Sequence, residues 1–202
     1  MDLLRRLTDL FTSTERPAPD VESRTILGVP VEIENTRPDI ATADVVERLT
    51  EALTLIERVQ PWRLRHLRRD VHAIRVVRFA CRGAYLPAER VIITELTFLA
   101  RRDITAAPVA SSIVHEATHA RVHAMGVVRG TDDLPREERL CRRAELAFGE
   151  ALPPELGAPV VERALASLAL EDHDVAPRVD WALAQQRQAA VDAAATRTGN
   201  GT

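Results

Sequence analysis

The sequence predicts a single α+β domain in which a small mixed sheet packs on one central helix, with further helices toward the C-terminus. A segment rich in β-branched residues, 25–34, is typical of a strand. Apolar residues then recur at helical spacing over 45–56. A second β-rich segment over 71–80 and an uninterrupted helical segment over 108–125 follow. Strands that are mixed with long helices in this way favour the α+β class.

The two ends of the chain are expected to lie outside this domain. Residues 1–22 combine a short amphipathic helix, LLRRLTDLF, with a linker that contains Pro17 and Pro19. Residues 196–202 are rich in Gly and Thr and are expected to form a disordered tail. The folded domain is therefore predicted to span residues 23–195.

The remaining elements follow from turn signals and periodicity. The segment 61–70 predicts a short helix, and a turn between Gly83 and Pro87 precedes a strand over 90–94. Beyond the central helix, residues 160–170 and 178–195 show helical patterns, with a polar break between them.

Composition limits the classes of function. The chain has 202 residues, of which 46% are hydrophobic, enough for one good core. A net charge of -3 argues against a dedicated nucleic-acid-binding protein. All 27 basic residues are Arg, which we interpret as the composition bias of a bacterial genome. Two Cys are too few for a secreted disulfide framework, and no run of about 18 apolar residues predicts a membrane span, so a cytoplasmic location is expected.

The pattern HExxH, formed by His115, Glu116 and His119, lies inside the predicted central helix. Residues four apart lie about one turn apart, so both imidazoles project from one face, about 6 Å apart along the axis, and can share a metal ion. Glu116 lies one step round the helix, which suits a carboxylate that takes a proton from water without coordinating the metal. The competing interpretation is a pair of surface histidines beside a solvated glutamate.

The motif helix resembles that of the zincin metallopeptidases, in particular the gluzincin branch, in which a downstream Glu completes the metal site. The resemblance implies a zincin-like core, a Zn²⁺ ion held by His115 and His119, and Glu116 as the general base. It covers the motif helix strongly and residues 71–150 more loosely. It identifies no particular peptidase family.

The third metal ligand is expected on the helix after the motif helix, which the apolar face over residues 140–148 predicts. Glu138 follows His119 after 18 intervening residues, a spacing like that of gluzincins with short loops. Glu138 shares a flank with Glu145, so one acid could bind the metal while the other supports a ligand histidine. Glu137 lies nearer the centre of the apolar stripe and is the rival. Glu138 is preferred, and a solvated, salt-bridged helix start is the remaining alternative.

Two further residues are candidates for stabilising a developing oxyanion. They are Tyr85, the only tyrosine, and His123, since Tyr or His fills this role in the enzymes that the chain resembles. Both residue types are more often packed or at the surface than catalytic. In zincins the strand before the motif helix commonly lies at the sheet edge, where an extended peptide adds as another strand, and residues 89–98 are expected to do this.

These observations predict a narrow-specificity bacterial peptidase that hydrolyses peptide bonds with Zn²⁺-activated water. Its expected partner is a peptide or protein substrate, with no nucleic acid and no transmembrane segment. One alternative is a non-catalytic, zinc-containing protein-binding domain, in which His123 or Glu145 would supply a fourth ligand. Another is a helical adaptor without metal.

Overall fold

The computed structural model describes residues 21–127, 133–176 and 181–199. Within these ranges the chain forms five strands and eight helices. The strands are β1 (Val21–Ile26), β2 (Val29–Glu34), β3 (Ala73–Val77), β4 (Gly83–Leu86) and β5 (Val91–Glu95). The helices are α1 (Thr42–Val59), α2 (Pro61–Asp70), α3 (Leu96–Ala100), α4 (Ala106–Ala124), α5 (Leu134–Ala151), α6 (Pro154–Leu168), α7 (Asp172–Val175) and α8 (Trp181–Gly199).

The five strands form one mixed sheet in the order β1-β2-β3-β5-β4. The central strands β2, β3 and β5 run parallel, whereas β1 and β4 pair antiparallel at the two edges. The α+β class and the small mixed sheet are therefore confirmed.

The segment 25–34, predicted as one strand, is instead part of a hairpin. Leu27 and Gly28 both have positive φ, 47° and 74°, as the two central residues of a type I′ turn require. The first strand begins at Val21, two residues before the predicted start of the domain. Its sequence, VESRTI, lacks apolar alternation because most of this edge strand is exposed.

Helices cover one face of the sheet and surround α4. Strand residues Ile74, Val76 and Ile92 belong to a large core with α1, α2 and α4, while the alternate residue Ile93 belongs to a smaller cluster on the other face. The α4 helix packs against α1 and α2 on one side, β4 and β5 on another, and α5 on a third. The HExxH helix is thus the centre of the fold, as the sequence predicts.

The prediction that residues 89–98 form the edge strand is wrong. β5 lies between β3 and β4, and its five residues are all buried. The edge strand beside α4 is β4, which is only four residues long and flanked by turn residues. Its four residues, GAYL, begin with a glycine and are too few to show an alternating pattern, so the sequence did not reveal the strand.

The C-terminal prediction also needs correction, because α8 continues to Gly199 and so includes residues 196–199 of the predicted tail. The predicted N-terminal helix falls within residues 1–20, and the end of the tail within residues 200–202, both outside the described ranges. No helix in the described ranges has the length and apolarity that crossing a bilayer requires.

Candidate metal centre

The motif helix α4 has clear signals at both ends. Thr105 caps it, with its hydroxyl oxygen accepting from the Ala107 N–H at 3.4 Å, and Pro108 lies in the first turn. Gly126, with φ +64°, follows the C-terminus, where its N–H donates to the carbonyl of His123 at 3.0 Å. These ends fix the register of the helix, so the two motif histidines lie on the face toward α5.

The two imidazole rings meet through their Nε2 atoms. His115 Nε2 and His119 Nε2 lie 3.1 Å apart, and the ring centroids are 4.9 Å apart. His115 is only 7% exposed. Two ring nitrogens at this separation repel each other if both present lone pairs, unless a proton or a cation lies between them.

Each histidine hydrogen-bonds through its Nδ1 atom to a carboxylate of α5. His115 Nδ1 donates to Glu145 Oε1 at 2.6 Å, and His119 Nδ1 donates to Glu137 Oε1 at 2.7 Å. An ionised carboxylate can only accept, so each Nδ1 carries the proton and a neutral ring keeps its lone pair on Nε2. This is the arrangement that orients metal-binding histidines.

Glu138 lies on the open side of the two rings. Its Oε2 is 3.3 Å from His115 Nε2, and its Oε1 is 3.3 Å from His119 Nε2. Ligands at tetrahedral angles, about 2.0–2.1 Å from zinc, would lie about 3.3 Å from one another. The three side chains therefore present donor atoms at separations that fit one tetrahedral ion. The rival Glu137 faces the opposite nitrogen of His119, as described above.

A fourth side chain, Cys141 on the predicted apolar face over residues 140–148, joins this group. Cys141 is fully buried, and it forms with His115 and His119 a group whose potential ligand atoms all lie within 4.8 Å of one another. These three residues could hold a metal ion. Its spacing in the sequence could have identified Cys141, because it follows Glu138 by three residues and precedes Glu145 by four, which places all three on one face of α5. Burial raises the pKa of the Cys141 thiol to about 11.

Hydrogen bonds outweigh burial in setting the charge of this cluster. Burial lowers the pKa of both histidines, but the carboxylates that face them raise it above the usual range, with Cys141 contributing at His119. Burial raises the pKa of Glu138 and Glu145, but hydrogen bonds from the histidines lower both, that of Glu145 to about 2. Without a metal the cluster is thus a set of histidine–carboxylate ion pairs.

Glu145 is the centre of a wider network. It is fully buried, and Ser111 donates to its Oε2 at 2.8 Å. Arg142 Nη1 donates to Oε1 at 2.6 Å, and Arg163, from α6, donates to Oε2. Two guanidinium groups therefore keep this carboxylate ionised. Glu145 contacts the Nδ1 side of His115, so its role as a supporting residue agrees with its position.

Glu116 differs from the other acids because it has no partner. It is 8% exposed, and within the described ranges its carboxylate makes no hydrogen bond or ion pair. Burial raises its pKa despite the nearby histidines. It lines a cavity of about 380 Å³ together with His115, Ser112 and Gly83. A Cβ atom at Gly83 would lie 3.2 Å from Glu116 Oε1, so the glycine lets β4 pass close over the carboxylate.

The two oxyanion candidates lie beside each other. Tyr85, on β4, forms an edge-to-face contact with the exposed ring of His123, with centroids 6.0 Å apart. Burial raises the pKa of Tyr85. Neither side chain hydrogen-bonds to the motif residues in the part of the chain that the structure describes. Their catalytic roles stay predictions.

Comparison with known proteins assigns no relatives. No protein-family model, no curated protein and no solved structure matches this chain. The residues of the site therefore carry the functional argument.

Proposed function

We propose that this protein is a zinc-dependent peptidase whose metal is held by His115, His119 and Glu138. The observation that carries the proposal is the convergence of two Nε2 atoms and a carboxylate at separations of 3.1–3.3 Å. The Nδ1 atoms of His115 and His119 already hydrogen-bond to carboxylates, so only the Nε2 atom of each ring remains to bind a metal. Two nitrogen donors and one oxygen donor form a ligand set typical of catalytic zinc, with one position left for water or substrate.

Glu116 supplies the base. A zinc ion held by His115, His119 and Glu138 would supply Lewis-acid activation of water and of a peptide carbonyl. The buried, unpaired Glu116 carboxylate accepts the proton of the attacking water and then delivers it to the leaving amine. Burial raises the pKa of Glu116, so this carboxylate binds a proton more readily than a solvated one.

The position of β4 supports an extended peptide as substrate. This strand pairs only with β5 within the described residues, so the backbone groups on its other side are available for a further strand. Gly83, at its start, lies so near Glu116 that an added Cβ atom would be 3.2 Å from Oε1, and a peptide on this edge would pass the base. Edge addition uses main-chain hydrogen bonds, and side-chain pockets would then determine which sequences bind.

The first test is metal content. The purified protein should contain about one equivalent of zinc per chain by elemental analysis. His115→Ala should lose it, whereas His173→Ala should keep it, because the side chain of His173 is 79% exposed and pairs with Asp174. The proposal is refuted if the wild-type protein contains no zinc after purification and binds none when zinc is added.

The second test separates metal binding from chemistry. Glu116→Gln should retain zinc and fold but lose cleavage of a mixed peptide library, read by mass spectrometry, by at least about a hundredfold. Glu150→Gln is the matched control, since it makes the same change at an exposed residue of α5. Normal cleavage by Glu116→Gln would show that another group is the base.

A second candidate function is a closed, non-catalytic zinc site. The buried Cys141 in the His115 and His119 group favours it, because a fourth protein ligand would leave no position for water. A zinc-loaded protein that cleaves no peptide and shows sulfur coordination would support this alternative.

A further inference from the structure

The cavity beside Glu116 has a basic end that the proposed chemistry does not use. Three arginines line it, each from a different element: Arg82 just before β4, Arg142 on α5 and Arg163 on α6. Among the described residues, the cavity is lined by these three arginines, by the carboxylates of Glu116 and Glu145, and by His115. With His115 neutral, the formal excess is one positive charge, and Arg142 and Arg163 both pair with Glu145.

The arginines keep hydrogen-bonding capacity that the protein does not satisfy. Arg142 and Arg163 each direct one terminal nitrogen to Glu145. Their Nε atoms are buried and have no hydrogen-bond partner in the described part of the chain. Glu145 cannot take more, because His115 and Ser111 also donate to it. Buried donors without partners are costly, so Glu145 alone does not satisfy these two guanidinium groups.

Arg82 differs from the other two arginines because it forms no ion pair with an acidic residue in the described part of the chain. Its guanidinium lies over the ring of Phe98, 5.3 Å from the centroid. Burial lowers its pKa, and the charges of Arg163, Arg101 and Arg142 lower it further, while only Glu145 acts in the other direction. Its charge is therefore repelled by its neighbours in the absence of an added anion.

We propose that this end of the cavity binds a carboxylate of the peptide substrate and so gives the enzyme a preference for acidic sequences. A guanidinium presents planar pairs of N–H donors that match the two oxygens of a carboxylate. Bound next to Glu116 and the metal ligand His115, the carboxylate would set which bond lies at the site. The carboxylate is either an Asp or Glu side chain or the free C-terminus of a peptide. This inference rests on the proposed peptidase function.

The test uses probes that report the metal site and the basic pocket separately. Short peptide hydroxamates bind zinc through the hydroxamate, and two series extend the peptide to either side of that group. Within each series, Glu replaces Gln at one position at a time, and a further pair compares a free C-terminal carboxylate with its amide. Dissociation constants for the zinc-loaded full chain are measured by calorimetry.

We expect one Glu probe, or the free-carboxylate probe, to bind about tenfold more tightly than its neutral partner, the difference typical of one charge-assisted contact. Arg82→Gln should reduce that ratio to less than about threefold while leaving the neutral probes unchanged. Within the described ranges Arg82 forms no hydrogen bond with Glu145, so the hydrogen bond from His115 to Glu145 stays in place in this variant. Arg102→Gln is the matched control, since it removes the same charge from a side chain that is 92% exposed and pairs with Asp44.

The outcomes are distinct. If all hydroxamates bind but none distinguishes carboxylate from amide, the basic pocket is refuted and the peptidase proposal stands. If a preference appears and Arg102→Gln abolishes it as fully as Arg82→Gln does, it comes from net charge and the pocket is equally refuted. If no hydroxamate binds, the metal-centred function fails, and this inference fails with it.

Discussion

Deleting Glu138 and deleting Cys141 should have very different effects on zinc affinity. Both side chains face the histidine pair from α5, and each would complete a three-ligand site. Glu138 presents one oxygen to each Nε2 atom at 3.3 Å. Cys141 would have to lose a proton before it could bind.

The free energy needed to ionise each side chain before it binds the metal favours Glu138 over Cys141. Its pKa is lowered by the histidines, so it is ionised at neutral pH without further cost. The Cys141 thiol has a pKa of about 11, so forming the thiolate at pH 7 costs about 5 kcal/mol before any bond to the metal forms. Structural zinc sites bind with about 10–16 kcal/mol, or about 3 kcal/mol per ligand when divided among four. Glu138→Ala should therefore weaken zinc binding by about 150-fold, and Cys141→Ala by less than about threefold.

The assay is competition with a chromogenic zinc chelator at pH 7, with Glu150→Ala as control for substitution on α5. A cobalt-substituted sample adds a second reading, since a thiolate ligand gives an intense near-ultraviolet charge-transfer band and a carboxylate does not. The reasoning is refuted if Cys141→Ala loses zinc and the cobalt band while Glu138→Ala keeps both.

Three other perturbations follow from the same geometry. Glu145→Gln leaves two partly buried guanidinium groups without their carboxylate, so we expect the free energy of unfolding to fall by about 3 kcal/mol in urea denaturation. An unchanged free energy of unfolding would contradict a role of Glu145 in stability. The metal-free protein should depend on pH in two directions. Folding raises the pKa of the two histidines, so they stabilise the folded state below about pH 6.5, and this stability is lost as the pH rises through their pKa values in the folded protein. Folding lowers the pKa of Glu138 and Glu145, so they stabilise the folded state above about pH 4.5, and this stability is lost as the pH falls. The increase in melting temperature on adding zinc should consequently be larger at pH 8 than at pH 5.5, because fewer protons must leave the histidines, and an equal increase would argue against metal binding there. Gly83→Ala brings a methyl group to 3.2 Å from the base, so peptide turnover should fall while zinc content stays unchanged, and unaltered turnover would show that Glu116 has room to move.

The parts of this site that sequence could predict are those determined within one helix. The spacing of His115 and His119 and the end signals of α4 are local, and helical geometry alone places both rings on one face. The importance of the acids on α5 was also foreseeable from spacing. The choice between Glu137 and Glu138 was not, since the two are adjacent and both face His119, one at each ring nitrogen.

The parts that sequence could not predict depend on contacts between distant segments. Arg163 reaches Glu145 from another helix, and no local pattern marks it among 27 arginines. The edge position of β4 depends on the strand order, which a short segment does not encode. Cys141 looked like an ordinary apolar residue because buried Cys commonly is one.

The contacts of Glu145 make the centre a property of three helices rather than of its motif. One carboxylate joins Ser111 and His115 of α4 to Arg163 of α6. An isolated peptide that contains only the HExxH turn and the following acidic segment would keep every proposed ligand, yet its imidazoles would rotate freely and its Nδ1 protons would be shared with water. Transplanting this centre into another scaffold would accordingly require the arginine of the third helix as well, although that residue is not a proposed ligand.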